Sequence, residues 1–85
     1  MESQFFPKMG AQLAAARKKR FPNDDLETFA RRLRVARSTY QRMEKGDLSV
    51  SMARYYKAAV LLELEAPFEQ LFNLPEQEEG WLSDV

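Results

Sequence analysis

The sequence predicts an all-α fold of five short helices, and three observations carry that expectation. Apolar residues recur at three- and four-residue spacing, as Leu26, Phe29, Ala30 and Leu33 do. Pro7, Pro22, Gly46 and Pro67 fall at the edges of such stretches, where helices begin and end. No run within residues 1–75 alternates polar and apolar side chains as a strand would, and no internal repeat is present. Eighty-five residues make one domain, expected over residues 1–75, with a short acidic tail over 76–85.

Each element has a local cause. The first helix is expected to open near Pro7, whose missing N–H is harmless in a first turn, and to run to about Arg20. Its alanines favour helix, and Lys18, Lys19 and Arg20 suit the negative pole at its end. "FPND" at 21–24 breaks it, because Pro22 disfavours helix at Phe21. The second helix takes Asp24 or Asp25 as N-cap, with Asp25 and Thr28 forming part of a capping box, and ends near Leu33. The third covers roughly 36–45 and stops at the left-handed Gly46. Ser49 or Ser51 caps the fourth, over 52–64, whose inward stripe is Met52, Tyr55, Ala59 and Leu62. Pro67 opens the fifth, over 67–74, which turns Phe68, Leu71 and Phe72 towards the core.

Composition excludes several classes of function. Without cysteine there are no disulfides and no thiolate metal sites, and without histidine the commonest general base and metal ligand is missing. No cofactor or metal is called for. Apolar runs fall short of a membrane span, which needs about 20 residues, and the start lacks the layout of a signal peptide, so a cytoplasmic protein is expected. Glu63, Glu65 and Glu69 read as a solvated helix face rather than catalytic acids, so an enzyme is not expected.

Neutrality hides a polarity. All thirteen Lys and Arg lie within residues 1–57 against six acids, giving +7, whereas residues 58–85 hold seven acids and no base, giving −7. Such asymmetry assigns one surface to a polyanion and leaves the other for a different partner. The basic half is also patterned. On a helical wheel Arg37, Ser38, Gln41, Arg42 and Lys45 lie opposite Ala36, Tyr40 and Met43. Arg forks onto guanine O6 and N7, Gln onto adenine N6 and N7, and Ser bonds bases or phosphate. A membrane-surface helix would want larger apolar residues opposite its charges.

These residues stand in the order Phe29-Ala30, Leu33-Arg34-Val35-Ala36, Arg37, Thr39, Arg42-Met43-Glu44 and Gly46, with Gly10, Leu13 and Arg17 upstream. The set resembles the lambda-repressor-like, Xre/Cro-type helix-turn-helix domains over roughly residues 9–72. "EKGD" followed by "SVS" is most similar to small autoregulatory antitoxins and phage or plasmid repressors. The resemblance implies a compact five-helix domain whose second and third helices form the helix-turn-helix, with helix three in the DNA major groove. It puts Arg37, Ser38, Gln41 and Arg42 at base-reading positions and makes Arg17 and Glu44 a buried ion pair. Arg34, Lys45, Lys18 and Lys19 are expected on phosphates.

The sequence departs from the family's pattern at several places. Leu26 stands where a phosphate-binding Gln is common, Arg34 where the turn has Gly, and Ala36 where Ser or Thr caps the helix. With "FPND", the loop between helices one and two is also about two residues longer than the family's usual loop.

One recognition helix covers only a few base pairs, so a homodimer on a palindromic operator is expected, its helices about 34 Å apart. The acidic half is the surface left for the second copy or for a protein partner such as a toxin. Its surplus apolar residues, Val60, Leu61, Leu64, Phe68, Phe72 and Trp81, make the expected dimer interface, with Trp81 as an anchor and Leu74 and Leu82 nearby. The function expected is a regulator, most simply a repressor of its own operon. The competing expectation is a repressor-like protein-interaction module without DNA binding.

Overall fold

The computed structural model describes residues 4–73 and has five helices: α1 Phe5–Arg20, α2 Leu26–Leu33, α3 Arg37–Met43, α4 Met52–Leu61 and α5 Glu65–Phe68. Among the described residues there is no strand. The expected tail, with Trp81 and Leu82, and Leu74 before it lie outside the described residues.

The core joins all five helices. Phe29, Ala30 and Leu33 of α2, Tyr40 and Met43 of α3, Val50, Tyr55 and Ala58, and Leu62 form its buried cluster. Met9, Leu13 and Ala16 of α1 pack against it, as does Phe68 of α5. The Phe29 ring lies 5.0 Å from Tyr40 and 5.5 Å from Phe21, centre to centre. Burial of each large member contributes about 1.5–3 kcal/mol. That outweighs the missing side-chain cap at Ala36, a loss of about 1 kcal/mol.

The helix starts follow their caps. Asp25 accepts the Thr28 N–H at 2.8 Å, and Ser51 rather than Ser49 caps α4 by accepting from Arg54. The prolines behave differently from the sequence reading. Helix α1 opens at Phe5 and α5 at Glu65, so Pro7 and Pro67 each occupy the third position of their helix. The first four N–H groups of a helix have no intrahelical partner, so proline is tolerated throughout that turn.

Three helices end in the same way. Val35 N–H reaches back to Ala30 O at 3.1 Å, Asp47 N–H to Arg42 O at 3.1 Å, and Leu64 N–H to Ala59 O at 2.7 Å. Shorter bonds nest inside each: Arg34 to Arg31 O, Gly46 to Met43 O and Glu63 to Val60 O. These are Schellman turns, which need a left-handed residue at the second donor. Gly46 (φ 75°) meets that need without strain, whereas Arg34 (φ 58°) and Glu63 (φ 60°) carry side chains there. The turns also end α3 at Met43 and α4 at Leu61, two and three residues before the expected ends.

Some residues expected inside are not. Helix α4 buries Tyr55, Ala58 and Ala59, followed by Leu62, while Met52 at its first position is half exposed. Ala36, expected on the inward side of α3, is exposed, because it precedes the helix in an extended conformation. The last helix stops at Phe68, which packs on the core; beyond it Leu71 is half exposed and Phe72 is 98% exposed.

Helix α1 docks backbone to backbone. Gly10 is buried against the carbonyl of Glu44 and the amide of Gly46, and Gly46 in turn lies against the carbonyl of Phe6. Gly10→Ala forces a methyl into that backbone contact, and overpacking of this kind costs about 2–3 kcal/mol. A thermal melt should show its midpoint about 10 °C or more below wild type. Arg34→Gly should do the reverse and stabilise the fold by about 1 kcal/mol, since it removes left-handed strain. A Gly10→Ala protein that melts with wild type would contradict the docking; an Arg34→Gly protein that melts lower would contradict the strain.

Candidate nucleic-acid interface

Helices α2 and α3 are joined by residues 34–36, in which left-handed Arg34 reverses the chain and extended Ala36 starts the next helix. Tyr40 and Met43 anchor α3 through its buried side. With that side fixed, the helical period turns Arg37, Ser38, Gln41 and Arg42 outward, and all four are exposed. Lys45 and Arg34 are exposed beside them in sequence, and Lys18 and Lys19 are exposed at the end of α1.

The charge of these exposed bases is only partly neutralised. Among the described residues, Arg34, Arg37, Lys45, Lys18 and Lys19 form no ion pair within 4.0 Å, whereas Arg31 and Arg32, the arginines of α2, do. Arg31 meets Glu27 at 3.2 Å, and Arg32 forks onto Asp24 at 2.5 and 3.2 Å while lying 4.4 Å over the Phe21 ring. Arg20 at the end of α1 pairs with Glu63 at 3.2 Å. Asp25 is held below the usual carboxylate range, first by the Thr28 N–H and further by the charge of Arg37. Of the residues expected to read bases, Arg42 has a partner: its Nε lies 3.4 Å from Asp47 Oδ2.

Beneath the surface sits a polar network. Arg17, 7% exposed, donates its Nε–H to Glu44 Oε2 at 2.7 Å and its Nη1 to the Asp24 carbonyl at 3.3 Å. The Tyr40 hydroxyl donates to the same Glu44 oxygen. Burial first, then Glu44, pushes that hydroxyl far above its ordinary value, so it stays a donor. Its hydrogen bond to Glu44 likewise raises Arg17, which stays cationic. The Glu44 carboxylate thus ties α1 to α3, and Arg17 ties both to the loop after α1.

Sequence reasoning placed Arg17 and Glu44 together but missed Tyr40 as a third member, although its four-residue spacing from Glu44 was a usable signal. It also missed the Arg32–Asp24 fork and the Arg42–Asp47 pair.

The expected dimer residues are scattered. Val60 and Leu64 are about half exposed and Phe72 almost wholly so, while Leu61 and Phe68 pack against the core; Trp81 lies outside the described residues. An apolar groove of about 590 Å³ runs between α1, α4 and α5, lined by Phe5, Met9, Leu48, Met52, Leu64 and Phe72 among others. None of its lining residues belongs to α2 or α3.

Removing Glu44 should show how much the network holds. Glu44→Ala leaves Arg17 buried without its counter-charge and should destabilise the fold by about 3–5 kcal/mol. Tyr40→Phe, which removes one hydrogen bond and keeps the ring, should cost about 1–2 kcal/mol. Denaturant titrations measure both; a Glu44→Ala midpoint equal to wild type would show that the pair carries no structural weight.

No helix among the described residues is long and apolar enough to cross a membrane. Neither a family model, nor a curated protein, nor a solved structure matches the chain.

Proposed function

We propose that the protein is a sequence-specific double-stranded DNA-binding regulator of the lambda-repressor-like, helix-turn-helix kind, and a homodimeric repressor of its own operon. The observation that carries the reading is the outer side of α3. Seven residues form this helix, two of them bury it, and four that point outward, Arg37, Ser38, Gln41 and Arg42, have the chemistry of base recognition. Arg34, Lys45, Lys18 and Lys19 supply positive charge for phosphates, which fixes register without reading sequence. The exposed apolar residues of α4 and the segment beyond it, half-exposed Val60 and Leu64 and almost fully exposed Phe72, support a second copy there, away from α2 and α3. Such a dimer presents two recognition helices to a palindromic site.

A duplex selected by the protein from a random-sequence pool provides the operator for the test. In gel-shift titrations Arg37→Ala and Arg42→Ala should each cost about 1–3 kcal/mol on that duplex and relax one position of the site. Lys45→Ala should weaken all duplexes alike and reduce the salt dependence by about one counterion. If both arginine variants bind as tightly as wild type, the reading fails. A protein that selects no sequence at all would instead be an interaction module, with the α1–α4–α5 groove as its working surface.

A further inference from the structure

Arg42 and Asp47 are brought together by the way α3 ends. A Schellman turn sets the residue that accepts its longest bond beside the residue that donates it. In α2 and α4 those pairs are apolar, Ala30 with Val35 and Ala59 with Leu64. In α3 the pair is Arg42 and Asp47, and an ion pair stands where the apolar contact would be.

Asp47 is itself fixed on three sides. Its N–H donates to Arg42 O at 3.1 Å, its carbonyl accepts the buried Tyr55 hydroxyl at 2.7 Å, and its Oδ1 accepts the Ser49 N–H at 2.8 Å. The Ser49 amide, with Arg42 adding to it, holds the Asp47 carboxyl below the usual carboxylate range, so the group is an anion at neutral pH. Its remaining oxygen, Oδ2, faces Arg42 Nε at 3.4 Å.

This arrangement matters for recognition more than for stability. A half-exposed ion pair adds little to a fold. A guanidinium, however, has five N–H donors, and Asp47 holds that of Arg42 by charge, nearest its Nε, without taking a hydrogen bond from it, so the two terminal nitrogens keep their donors. Those two nitrogens form the fork that matches guanine O6 and N7. A long arginine chain otherwise loses rotamer freedom on binding, and fixing it beforehand removes that loss.

We infer that Asp47 is a positioning residue, an anchored carboxylate that aims Arg42 at a guanine. The inference rests on the DNA-reading role given above to Arg42. As an anion beside the recognition helix, Asp47 also opposes binding to phosphates alone, so it raises specificity from both directions.

Asp47→Asn tests this, because asparagine still accepts the Ser49 N–H and lacks only the charge. Affinity for the selected operator should fall about threefold to fivefold, the order expected for losing one half-exposed ion pair. Binding to an unrelated duplex should rise, and in an Arg42→Ala background the operator loss should vanish. A second measurement needs no DNA: ¹⁵N relaxation of the arginine Nε groups in wild type should show Arg42 more ordered than Arg34, and Asp47→Asn should remove the difference. An equal operator loss in the Arg42→Ala background overturns the inference, as does an Arg42 Nε already as mobile as that of Arg34 in wild type. A wild-type protein that selects no sequence would fail the DNA reading, while the relaxation data would still decide whether Asp47 orders Arg42.

Discussion

The structure depends on one carboxylate. Glu44 sits just past α3 and accepts from both Arg17 of α1 and Tyr40 of α3, so it fixes the angle at which the first helix crosses the end of the third. A buried pair of this kind is not a large net source of stability, because desolvating the two charges offsets most of their attraction. Its value is geometric: any displacement of α1 leaves a guanidinium buried without a counter-charge. Gly10 and Gly46 enforce the same docking by sterics, since neither can carry a side chain at the backbone contact. Polar specificity and close approach therefore act on the same joint.

With that joint set, the outer side of α3 follows from arithmetic. The helix is too short to be stable alone, and it persists because Tyr40 and Met43 are buried. The same burial absorbs an uncapped start at Ala36 and a strained turn at Arg34, each a loss of about 1–2 kcal/mol. Arg34 is informative in this respect. A glycine would be the easier residue in its conformation, and the side chain retained there places a charge at the edge of the helix pair.

Much of this was legible in the chain because the signals are local. Asp25 with Thr28, Gly46, and the period of Leu26, Phe29, Ala30 and Leu33 specify their structures within a few residues. The Arg17–Glu44 contact spans 27 residues and was accessible only through a resemblance in pattern, not through spacing. What the sequence obscured depends on neighbours distant in the chain. Met52 and Leu71 look like core residues by period, yet no helix covers them, and Phe72 lies beyond the end of α5. Pro7 and Pro67 misled by two residues because a first turn tolerates proline at several positions. The Arg42–Asp47 pair was hidden because a five-residue spacing is not a helical neighbour; only the left-handed turn at Gly46 closes it.

The charge asymmetry of the chain now has a physical layout. Bases gather on α1, α2 and α3, several neutralised by nearby acids, while exposed apolar residues gather on α4 and the segment after it. The proposed DNA-binding surface is the outer side of α3 and not the apolar groove. Chemical-shift mapping of the ¹⁵N-labelled protein with a duplex it has selected tests this most directly. The largest changes should fall on the amides of Arg37, Ser38 and Gln41 and on the side-chain Nε of Arg37 and Arg42, with the groove residues of α4 little affected. Changes concentrated on Met52, Leu64 and Phe72, with α3 silent, would contradict it.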